Sequence, residues 1–383
     1  MRKVILIQKS ISQYRKPLFE QMKKYLKQHA VDLVVIYGQP DKKDAQRKDT
    51  IDLEWGTKIQ NRVWYWGSHE IYWQPVFSHL KNADLVIVEQ ASRLFANYLI
   101  WLLRSLGNFK FAFWGHGKNL KRYATHRLAE WVKHQISKRV DWWFAYTHGT
   151  AEIVAKSGFP RERITVLENS IDTKVLTQYL EALSSQTLQN LRELENIQTQ
   201  NVALFIGGMY PEKQITFLLE AIEYIHNDLP NFQMFFIGDG IEAQYIRDFS
   251  ATNPWVHFVG NKFENEKVAY FKLSKVLLLP AAVGLTVIDS FALETPLITI
   301  ENMDHGPEIE YLSNGVNGIL LPFPQTPRSY ANRVVEFLTN PKEQTLLKQG
   351  CVKSRDAYSL ENMVENFVQG ILRALGSNPA DTV

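Results

Sequence analysis

The stretch that decides the fold is Val276–Ile300, VLLLPAAVGLTVIDSFALETPLITI. It opens with an apolar run that ends at Pro280 and closes with a second run, LITI, after the small residues Ala281 and Ala282 and a predicted helix. Apolar runs without polar alternation predict strands buried on both faces, as in parallel sheets covered by helices. We therefore expect a strand–helix–strand unit whose first turn, at Ala281–Ala282, opens a helix that carries Asp289 on its early turns.

Similar apolar or aromatic runs recur along the 383 residues. In the first half they predict strands at Lys3–Gln8, Asp32–Tyr37, Asp84–Glu89, Phe109–Trp114, Asp141–Tyr146 and Ile164–Leu167. In the second half they predict strands at Val202–Ile206, Gln233–Ile237, Val256–Val259, Val276–Pro280, Leu297–Ile300 and Gly318–Leu321. Alternation of these strands with helical patterns predicts an α/β protein of two Rossmann-like, doubly wound domains facing a central cleft.

The domain boundary is expected between Asp172 and Asn201, where leucines recur at helical spacing without a strand signal. The predicted organisation is an N-terminal domain at 1–172, a helical interdomain connection at 173–200 and a C-terminal domain at 201–357. Residues 358–383 are expected to form a C-terminal helix, for which packing on the N-terminal domain is one possibility, and a frayed tail.

Composition excludes several classes of protein. With 45% hydrophobic and 22% charged residues, the chain is an ordinary globular protein rather than a fibrous or disordered one. A single cysteine, Cys351, excludes a disulfide framework and a cysteine-rich zinc site. No run approaches the roughly 20 apolar residues that span a bilayer. The start, MRKVILIQKS, reads as a strand and not as a signal peptide, so we expect a cytoplasmic protein.

Charge is distributed unevenly although the whole chain carries only +3. Residues 1–172 contain 28 basic and 16 acidic side chains, a net charge of +12, whereas the remainder carries −9. A basic half joined to an acidic half indicates that only the first faces a polyanion or an anionic membrane.

Small and polar residues follow the predicted strands of the second half, where open parallel sheets bind ligands. Gly207 and Gly208 permit close backbone approach, and Lys213 after them can meet a phosphate; a plain surface lysine is an equally weighted alternative. Gly238-Asp239-Gly240 is a weaker signal, because these residues also form ordinary turns. Asp289 can reach ribose hydroxyls when phosphates lie at the start of its helix. This binding role is favoured over the alternative that Asp289 is merely a solvated acid on the helix surface.

Five segments in this order resemble the C-terminal half of the family 4 glycosyltransferases, which are retaining enzymes of GT-B fold that use nucleotide-sugar donors. They are GGMYPEK, IGDG, VHFVGN, LLPAAVGLTVIDSFALETPLIT and PEIEYLSNGVNGILL, and they lie within Val202–Leu321. VLENSID at 166–172 extends the resemblance more weakly into the first half. The resemblance implies that the C-terminal domain binds a UDP- or GDP-linked sugar and that the N-terminal domain presents an acceptor.

The resemblance also implies roles for individual residues. Lys213 would hold the donor diphosphate and act with His116 in catalysis, and Asp289 stands where the family has the second glutamate of an E-x7-E motif that binds ribose. The full donor-binding set is Gly207, Gly208, Lys213, Gly238, Asp239, Gly260, Asn261, Gly284, Leu285, Thr286 and Asp289.

Two positions depart from the family pattern. Gly208 replaces the arginine that usually precedes the lysine, and Ala281 replaces the first glutamate of E-x7-E. These departures favour the main alternative from another class, a GT-B nucleotide-binding or scaffold subunit without catalysis. A nucleotide-sugar epimerase or hydrolase of the same fold is the alternative among enzymes.

Fewer signals mark the first half. His116 lies between glycines at a strand's carboxyl end, where core packing gives no reason for a histidine, so a functional role is favoured. The family resemblance, in which a histidine at about this point lines the sugar pocket, implies a polar role near the reacting carbon or the acceptor. Ser10, Arg15 and His148 are assigned to the acceptor side, although Arg15 is equally compatible with facing solvent. Around His148, capping of a helix by Thr147 or Thr150 is the favoured structural interpretation.

The segment 118–139 carries seven basic side chains against the single acid Glu130. It predicts either a solvated helix on the sheet or a face attracted to anionic lipid headgroups. No nucleic-acid motif accompanies it, so no nucleic-acid partner is expected. No metal and no cofactor beyond the donor are expected either. The resulting hypothesis is a retaining hexosyltransferase of bacterial-type cell-surface polysaccharide assembly, cytoplasmic or peripheral on the inner membrane face, with a glycan or lipid-linked acceptor.

Overall fold

The computed structural model describes residues 1–40, 50–66, 69–91, 93–117, 136, 138–262, 265–301 and 304–376. The chain forms two compact units. Unit 1 comprises Met1–Asp172 together with Leu360–Val383, and unit 2 comprises Thr173–Ser359. Unit 1 is therefore built from both ends of the chain, and unit 2 is continuous.

Helices and strands alternate in each unit. The strands are β1 Arg2–Gln8, β2 Val31–Tyr37, β3 Thr57–Lys58, β4 Arg62–Trp66, β5 His69–Trp73, β6 Leu85–Glu89, β7 Lys110–Gly115, β8 Trp142–Ala145, β9 Ile164–Val166, β10 Val202–Ile206, β11 Gln233–Ile237, β12 Val256–Gly260, β13 Val276–Leu278, β14 Leu297–Ile300 and β15 Gly318–Leu321. The helices are α1 Lys16–Gln28, α2 Ala96–Gly107, α3 His148–Lys156, α4 Lys174–Ala182, α5 Ser185–Leu194, α6 Ile215–Asp228, α7 Ala243–Thr252, α8 Asn265–Leu273, α9 Thr286–Ala292, α10 Pro327–Leu338, α11 Pro341–Ala357 and α12 Leu360–Leu375.

Each unit contains a parallel sheet with a doubly wound strand order. In unit 1 the order is β3-β2-β1-β6-β7-β8-β9, and in unit 2 it is β12-β11-β10-β13-β14-β15. Every strand predicted from an apolar run is present, because those runs are buried on both faces, as in β10 and β13. The predicted α/β class with two Rossmann-like sheets is thereby confirmed.

An antiparallel ribbon, β4–β5, stands outside the main sheet of unit 1 and was not predicted. Its sequence, RVWYW-GS-HEIYW, has the aromatic strands and two-residue glycine-containing link that are typical of a hairpin. The ribbon exposes Trp64 and Tyr65, while Tyr72 is buried. The segment 173–200, expected as a connection, forms α4 and α5 and belongs to unit 2. Within the described residues, no helix combines the length and apolarity needed to cross a membrane.

Helix α12 packs into the core of unit 1. Phe367 is fully buried, with its ring stacked 4.7 Å from that of Phe144 and edge-on 5.1 Å from that of Trp114. Gly370 permits the close approach, because a Cβ there would lie 2.6 Å from Thr165 Oγ1 and 2.8 Å from a Phe144 ring carbon. The last described helix thus covers strands that lie some 200 residues earlier in the chain.

Phe367→Ala should lower the free energy of unfolding of unit 1 by about 3–5 kcal/mol, the usual cost of deleting a buried aromatic ring. Urea unfolding followed by tryptophan fluorescence measures this, because Trp114 lies against the ring. Glu365→Ala, on the exposed side of the same helix, is the matched control and should stay within about 0.5 kcal/mol of wild type. Equal stabilities for the two variants would contradict this packing role for α12.

Candidate active site

The candidate site of unit 2 lies where the chain reverses its direction across the sheet. β10 and β13 are neighbours at the centre of the sheet, but β10 leads on to β11 on one side and β13 to β14 on the other. Their carboxyl ends are followed by Gly207 and by Pro280–Ala282. Such a switch point opens a crevice, and ligands of doubly wound sheets bind there.

Lys213 bridges this switch point. It ends the 3₁₀ turn Pro211–Lys213, and its Nζ donates a 2.6 Å hydrogen bond to the Ala282 carbonyl. Burial lowers the pKa of Lys213 to about 8, against the opposing effect of the Glu212 charge. The amine is therefore a poorly hydrated cation at neutral pH, which makes it a strong partner for an incoming anion.

The glycines after β10 and β11 allow the backbone to pack tightly. Gly207 and Gly238 both have positive φ, of 142° and 133°, and a Cβ on Gly238 would lie 2.0 Å from the Gly207 carbonyl oxygen. At Gly208 a Cβ would lie 2.4 Å from the ring of Tyr210. A larger residue there would displace that ring, so Tyr210 occupies the space that the family's arginine would need.

Asp239, Gly260 and Asn261 are less directly supported as ligand-binding residues. The Asp239 side chain is exposed and accepts hydrogen bonds from Gly240 N at 2.9 Å and from Arg247 at 3.4 Å. These contacts are those of a turn-forming aspartate. Gly260 has a φ of 69°, and Asn261 is exposed beside it. Donor contacts by these residues remain predictions.

The turn after β13 is held by a histidine that sequence reasoning missed. Ala282 has a φ of 51°, and the next amide, Val283 N, donates to His305 Nδ1 at 3.0 Å. His305 Nε2 lies 2.7 Å from the Ile300 carbonyl, so Nε2 carries the proton and the ring is neutral. Burial lowers the pKa of His305, which agrees with this tautomer. The ring therefore positions the turn without adding charge.

Asp289 lies on α9 with one oxygen paired and one unpaired. Its Oδ2 forms a 2.8 Å ion pair with Lys267, a residue that sequence reasoning missed. Its Oδ1 is buried and has no hydrogen-bond partner among the described residues. Leu285 and Thr286 are partly buried at the start of the helix, and no described atom lies within 4 Å of where a Gly284 Cβ would stand. Among the described residues, the Asp289 carboxylate thus keeps one acceptor oxygen whose hydrogen bonding is not satisfied.

His116 lies just beyond β7 in unit 1. Its ring packs edge-on against Tyr146, with the centroids 4.4 Å apart. Burial, and secondarily the charge of Arg15, lower the pKa of His116 to about 4. Its Nδ1 has no hydrogen-bond partner within the described parts of the chain. The imidazole is thus a neutral polar group above pH 5, with a vacant hydrogen-bonding position.

Arg15 is buried, so the alternative that its side chain faces solvent is wrong. Its guanidinium lies 4.9 Å from the Trp114 ring centroid and 5.7 Å from that of Tyr146, and it donates to Asn169 Oδ1 at 2.9 Å. A guanidinium tolerates such burial because it stacks on aromatic faces. From this position its charge adds to the effect of burial in lowering the pKa of His116.

The other predicted acceptor-side residues lie apart from this cluster. Ser10 lines a cavity of about 340 Å³ at the carboxyl ends of β1 and β2. His148 is exposed, with Nε2 3.6 Å from Glu168 Oε1. The Thr147 hydroxyl accepts from Thr150 N and caps α3, which confirms the predicted capping role. No contact of Ser10 or His148 identifies a ligand.

Glu89 was also missed by sequence reasoning. It ends β6 at the switch point of unit 1, between β1 and β6. Its Oε2 accepts a 2.8 Å hydrogen bond from Lys9 N. Burial raises its pKa, although this hydrogen bond opposes the shift. The rule that ligands lie beyond strand ends, applied to every strand, would have selected it.

Most of the basic run at 118–139 lies outside the described residues, and so does the structural basis of the predicted lipid-facing surface. Across the described ranges, no cluster of three or more His, Cys, Asp or Glu side chains is placed to hold a metal ion.

Comparisons with known proteins show matches over both halves of the chain. Residues 18–175 match the family described as glycosyltransferase family 4, and residues 188–350 match glycosyl transferases group 1. An uncharacterised glycosyltransferase of Methanocaldococcus jannaschii is 24% identical over 180 residues, which cover 46% of this chain and 49% of that protein. The alignment thus spans about half the length of this relative.

Two further proteins are similar over longer stretches. An alpha-D-kanosaminyltransferase of Streptomyces kanamyceticus is 21% identical over 275 residues, covering 68% of this chain and 67% of that protein. The solved structure of Anabaena HepE in complex with UDP has a TM-score of 0.73 at 13% identity, covering 97% of this chain and 100% of that chain. HepE has also been solved with UDP-glucose. At this identity the structural similarity shows the fold alone.

Pyrophosphate affinity should depend on the protonation of Lys213. A lowered pKa leaves the amine charged below about pH 8 and neutral above it, so binding should weaken as the pH rises from 7 to 9.5. Isothermal titration calorimetry at several pH values measures this. In Lys213→Arg the charge persists, and the loss at high pH should be much smaller; Lys213→Met should bind weakly throughout. Parallel pH dependence in wild type and Lys213→Arg would contradict the role of this amine.

Proposed function

Because this chain belongs to the glycosyltransferases, matching group 1 and family 4 in its two halves, we propose that it transfers a sugar from a nucleotide-diphosphate sugar to a glycan or lipid-linked acceptor. The observation that carries the proposal is the partly buried Lys213 amine at the switch point of unit 2. A desolvated cation at this place suits a diphosphate better than a neutral ligand.

The donor would contact three features of unit 2. Lys213 would bind the diphosphate, and the accessible backbone at Gly284 would approach the phosphate and sugar. Asp289 would accept from ribose hydroxyls through Oδ1, which has no partner among the described residues, while Lys267 neutralises its other oxygen. The complexes of HepE with UDP and UDP-glucose support a nucleotide-diphosphate sugar as donor, and we propose uracil or guanine as its base.

The reaction would depend on stabilising the departing diphosphate. Negative charge grows on the leaving oxygen as the bond to the sugar breaks, and a preorganised cation in a poorly hydrated site stabilises that charge. Lys213 would supply the cation. We propose that configuration at the sugar carbon is retained, as in the family that the sequence resembles, and that the neutral His116 offers a hydrogen bond to the sugar or the acceptor.

A second candidate is a nucleotide-binding subunit without turnover. Tyr210 fills the space beside Gly208, and the Ala281 methyl is fully buried. Positions 208 and 281 therefore supply neither the arginine nor the glutamate that the family pattern has there. This candidate shares the donor site with the transferase and differs from it only in chemistry.

A binding screen combined with a transfer assay tests the proposal. UDP and GDP, alone and linked to glucose, galactose, mannose or N-acetylglucosamine, would be titrated, and bound donors would be incubated with bacterial lipid-linked and free oligosaccharides. We expect one base to be preferred and sugar to be transferred. Binding without transfer would favour the non-catalytic subunit, and absence of nucleotide binding would overturn the proposal.

His116→Ala should reduce kcat at least tenfold while the Kd for the nucleoside diphosphate changes less than about twofold, because His116 belongs to the acceptor-side unit. Since its pKa is near 4, kcat of the wild type should show no inflection from this group between pH 5.5 and 7. His29→Ala, at the amino edge of the same sheet, is the control. A collapse of donor affinity in His116→Ala would instead place this residue in donor binding or folding.

We further propose that residues 1–172, with their net charge of +12, bring the protein to an anionic cytoplasmic membrane surface as part of cell-surface polysaccharide assembly. Replacing Lys121, Arg122, Lys133 and Lys138 by glutamine should release the protein from anionic vesicles, and so should added salt, since the screening length is roughly 8 Å at physiological ionic strength. Co-sedimentation measures both effects. Equal sedimentation with anionic and neutral vesicles would contradict the proposal and favour a soluble glycan acceptor.

A further inference from the structure

Helix α2 of unit 1 presents an apolar face to solvent. Its inner side is buried at Ala96 and Ile100, which belong to the hydrophobic core of the unit. Leu102, Leu103 and Leu106 lie on the other side and are 60%, 39% and 84% exposed. The outward face of a helix is normally polar, and a helix that is apolar all round is normally buried all round. The outward face of α2 is therefore suited to contact with a further apolar surface.

The ribbon β4–β5 extends this face with aromatic rings. Arg62, Trp64 and Trp73 share one side of the ribbon, because Arg62 is paired with Trp73 and side chains alternate along a strand. The Trp64 and Trp73 rings lie 6.5 Å apart, and the Trp73 ring lies 6.4 Å from that of Phe95, the residue before α2. Trp64 and Phe95 are about half exposed. We call the exposed members of this surface the apolar strip: Trp64, Phe95, Leu102, Leu103 and Leu106.

The charge around the apolar strip is positive. Arg62 and Arg93 are exposed, and Glu70 of the ribbon is paired with Arg93. From Arg93 to Lys110 the sequence contains no acidic residue. Residues 1–172 as a whole carry a net charge of +12. The apolar strip thus lies in a region whose charge favours an anionic partner.

A second copy of the chain suits the apolar strip poorly. The 12 residues of α2 form a helix about 18 Å long and about 10 Å wide, so its outward face covers roughly 200 Å², and the short ribbon adds a similar area. A stable dimer buries about 800 Å² on each partner. A symmetric dimer would also bring this positive surface against its own copy, and like charges repel. An anionic lipid bilayer offers a continuous apolar layer and the opposite charge.

We infer that the apolar strip inserts into the interfacial layer of an anionic lipid bilayer, with α2 lying parallel to the membrane plane. The inference rests on the proposed recruitment of residues 1–172 to a membrane, and it adds a hydrophobic contact to the electrostatic attraction. Leucines on one face of a helix bury at the boundary between headgroups and acyl chains, and tryptophan rings favour the headgroup level. A helix of this length lies on a bilayer rather than across it, since spanning needs roughly 20 residues.

The test compares a variant of the apolar strip with a matched variant of unit 2. Leu102→Gln/Leu106→Gln removes two leucines from the strip, and Leu194→Gln/Leu346→Gln changes two leucines that are exposed in unit 2. Co-sedimentation with vesicles of equal parts phosphatidylglycerol and phosphatidylcholine gives the partition coefficients. The strip variant should bind at least tenfold more weakly than wild type, since burial of one leucine side chain strengthens partitioning by about tenfold. The unit 2 variant should bind as wild type. Neither variant changes the net charge, so a loss reports the apolar contact.

A fluorescent probe gives a second measurement, which also serves if the strip variant does not fold. The native Cys351 is buried, so an environment-sensitive thiol dye labels a cysteine introduced as Leu106→Cys or, for the control, as Leu346→Cys. On addition of the same vesicles, emission from position 106 should shift to shorter wavelengths, and emission from position 346 should not.

Equal partitioning of the strip variant and wild type would overturn the inference and leave recruitment by charge intact. An unchanged emission from position 106 would do the same. A wild-type dimer that the strip variant converts to a monomer, in sedimentation velocity without lipid, would also overturn the inference, because a second copy would then cover the strip. A wild type that does not bind the anionic vesicles would overturn the proposed recruitment and this inference together, whereas the transfer assay tests the glycosyltransferase activity independently.

Discussion

The contact between the Lys213 amine and the Ala282 carbonyl is the constraint on which the site of unit 2 depends. β10 and β13 are hydrogen-bonded neighbours whose chains diverge, so the backbone cannot close the space beyond their ends. One long side chain crosses that space. The turn that it reaches has a left-handed alanine and is held from the other side by His305 and Gly306. The position of the Lys213 amine and the backbone geometry of the turn at Ala282 therefore depend on contacts among three separate segments of the chain.

Burial decides the charge of the groups that face these strand ends. It leaves Lys213 charged at neutral pH but closer to losing its proton, and it keeps His116 and His305 neutral. Asp289 is compensated by Lys267 instead, and its other oxygen has no hydrogen-bond partner among the described residues. In the part of the chain that the structure describes, the Lys213 cation thus lies at strand ends that also carry acceptors with incomplete hydrogen bonding, and a ligand rich in phosphate and hydroxyl groups suits both.

The sequence predicts the sheets well because buried parallel strands require continuous apolar runs, and such runs are local. It also selects Lys213 and Asp289, because each lies in the loop or helix that follows a strand predicted from an apolar run. His305 and Lys267 escape detection because their roles come from contacts with residues distant in sequence: Lys267 meets Asp289, and His305 meets Val283, each from 22 positions away. Arg15 misleads for the same reason, since the aromatic rings that permit its burial belong to β7 and to the residue after β8. The ribbon β4–β5 has a local signal in its aromatic residues and glycine-containing link, but its strands are not continuous apolar runs.

The discontinuity of unit 1 has a consequence for synthesis on the ribosome. Leu360–Leu375, which covers Phe144 and Trp114, is translated after the whole of unit 2. During that interval the nascent N-terminal segment lacks the helix that shields its aromatic surface, while unit 2 can complete its sheet as a continuous stretch. A ribosome that stalls near residue 350, or a protease that cuts there, leaves a nearly complete second unit joined to an N-terminal segment with uncovered aromatic side chains. Surfaces of this kind aggregate or recruit chaperones, so synthesis of α12 determines whether the N-terminal segment folds into a stable unit.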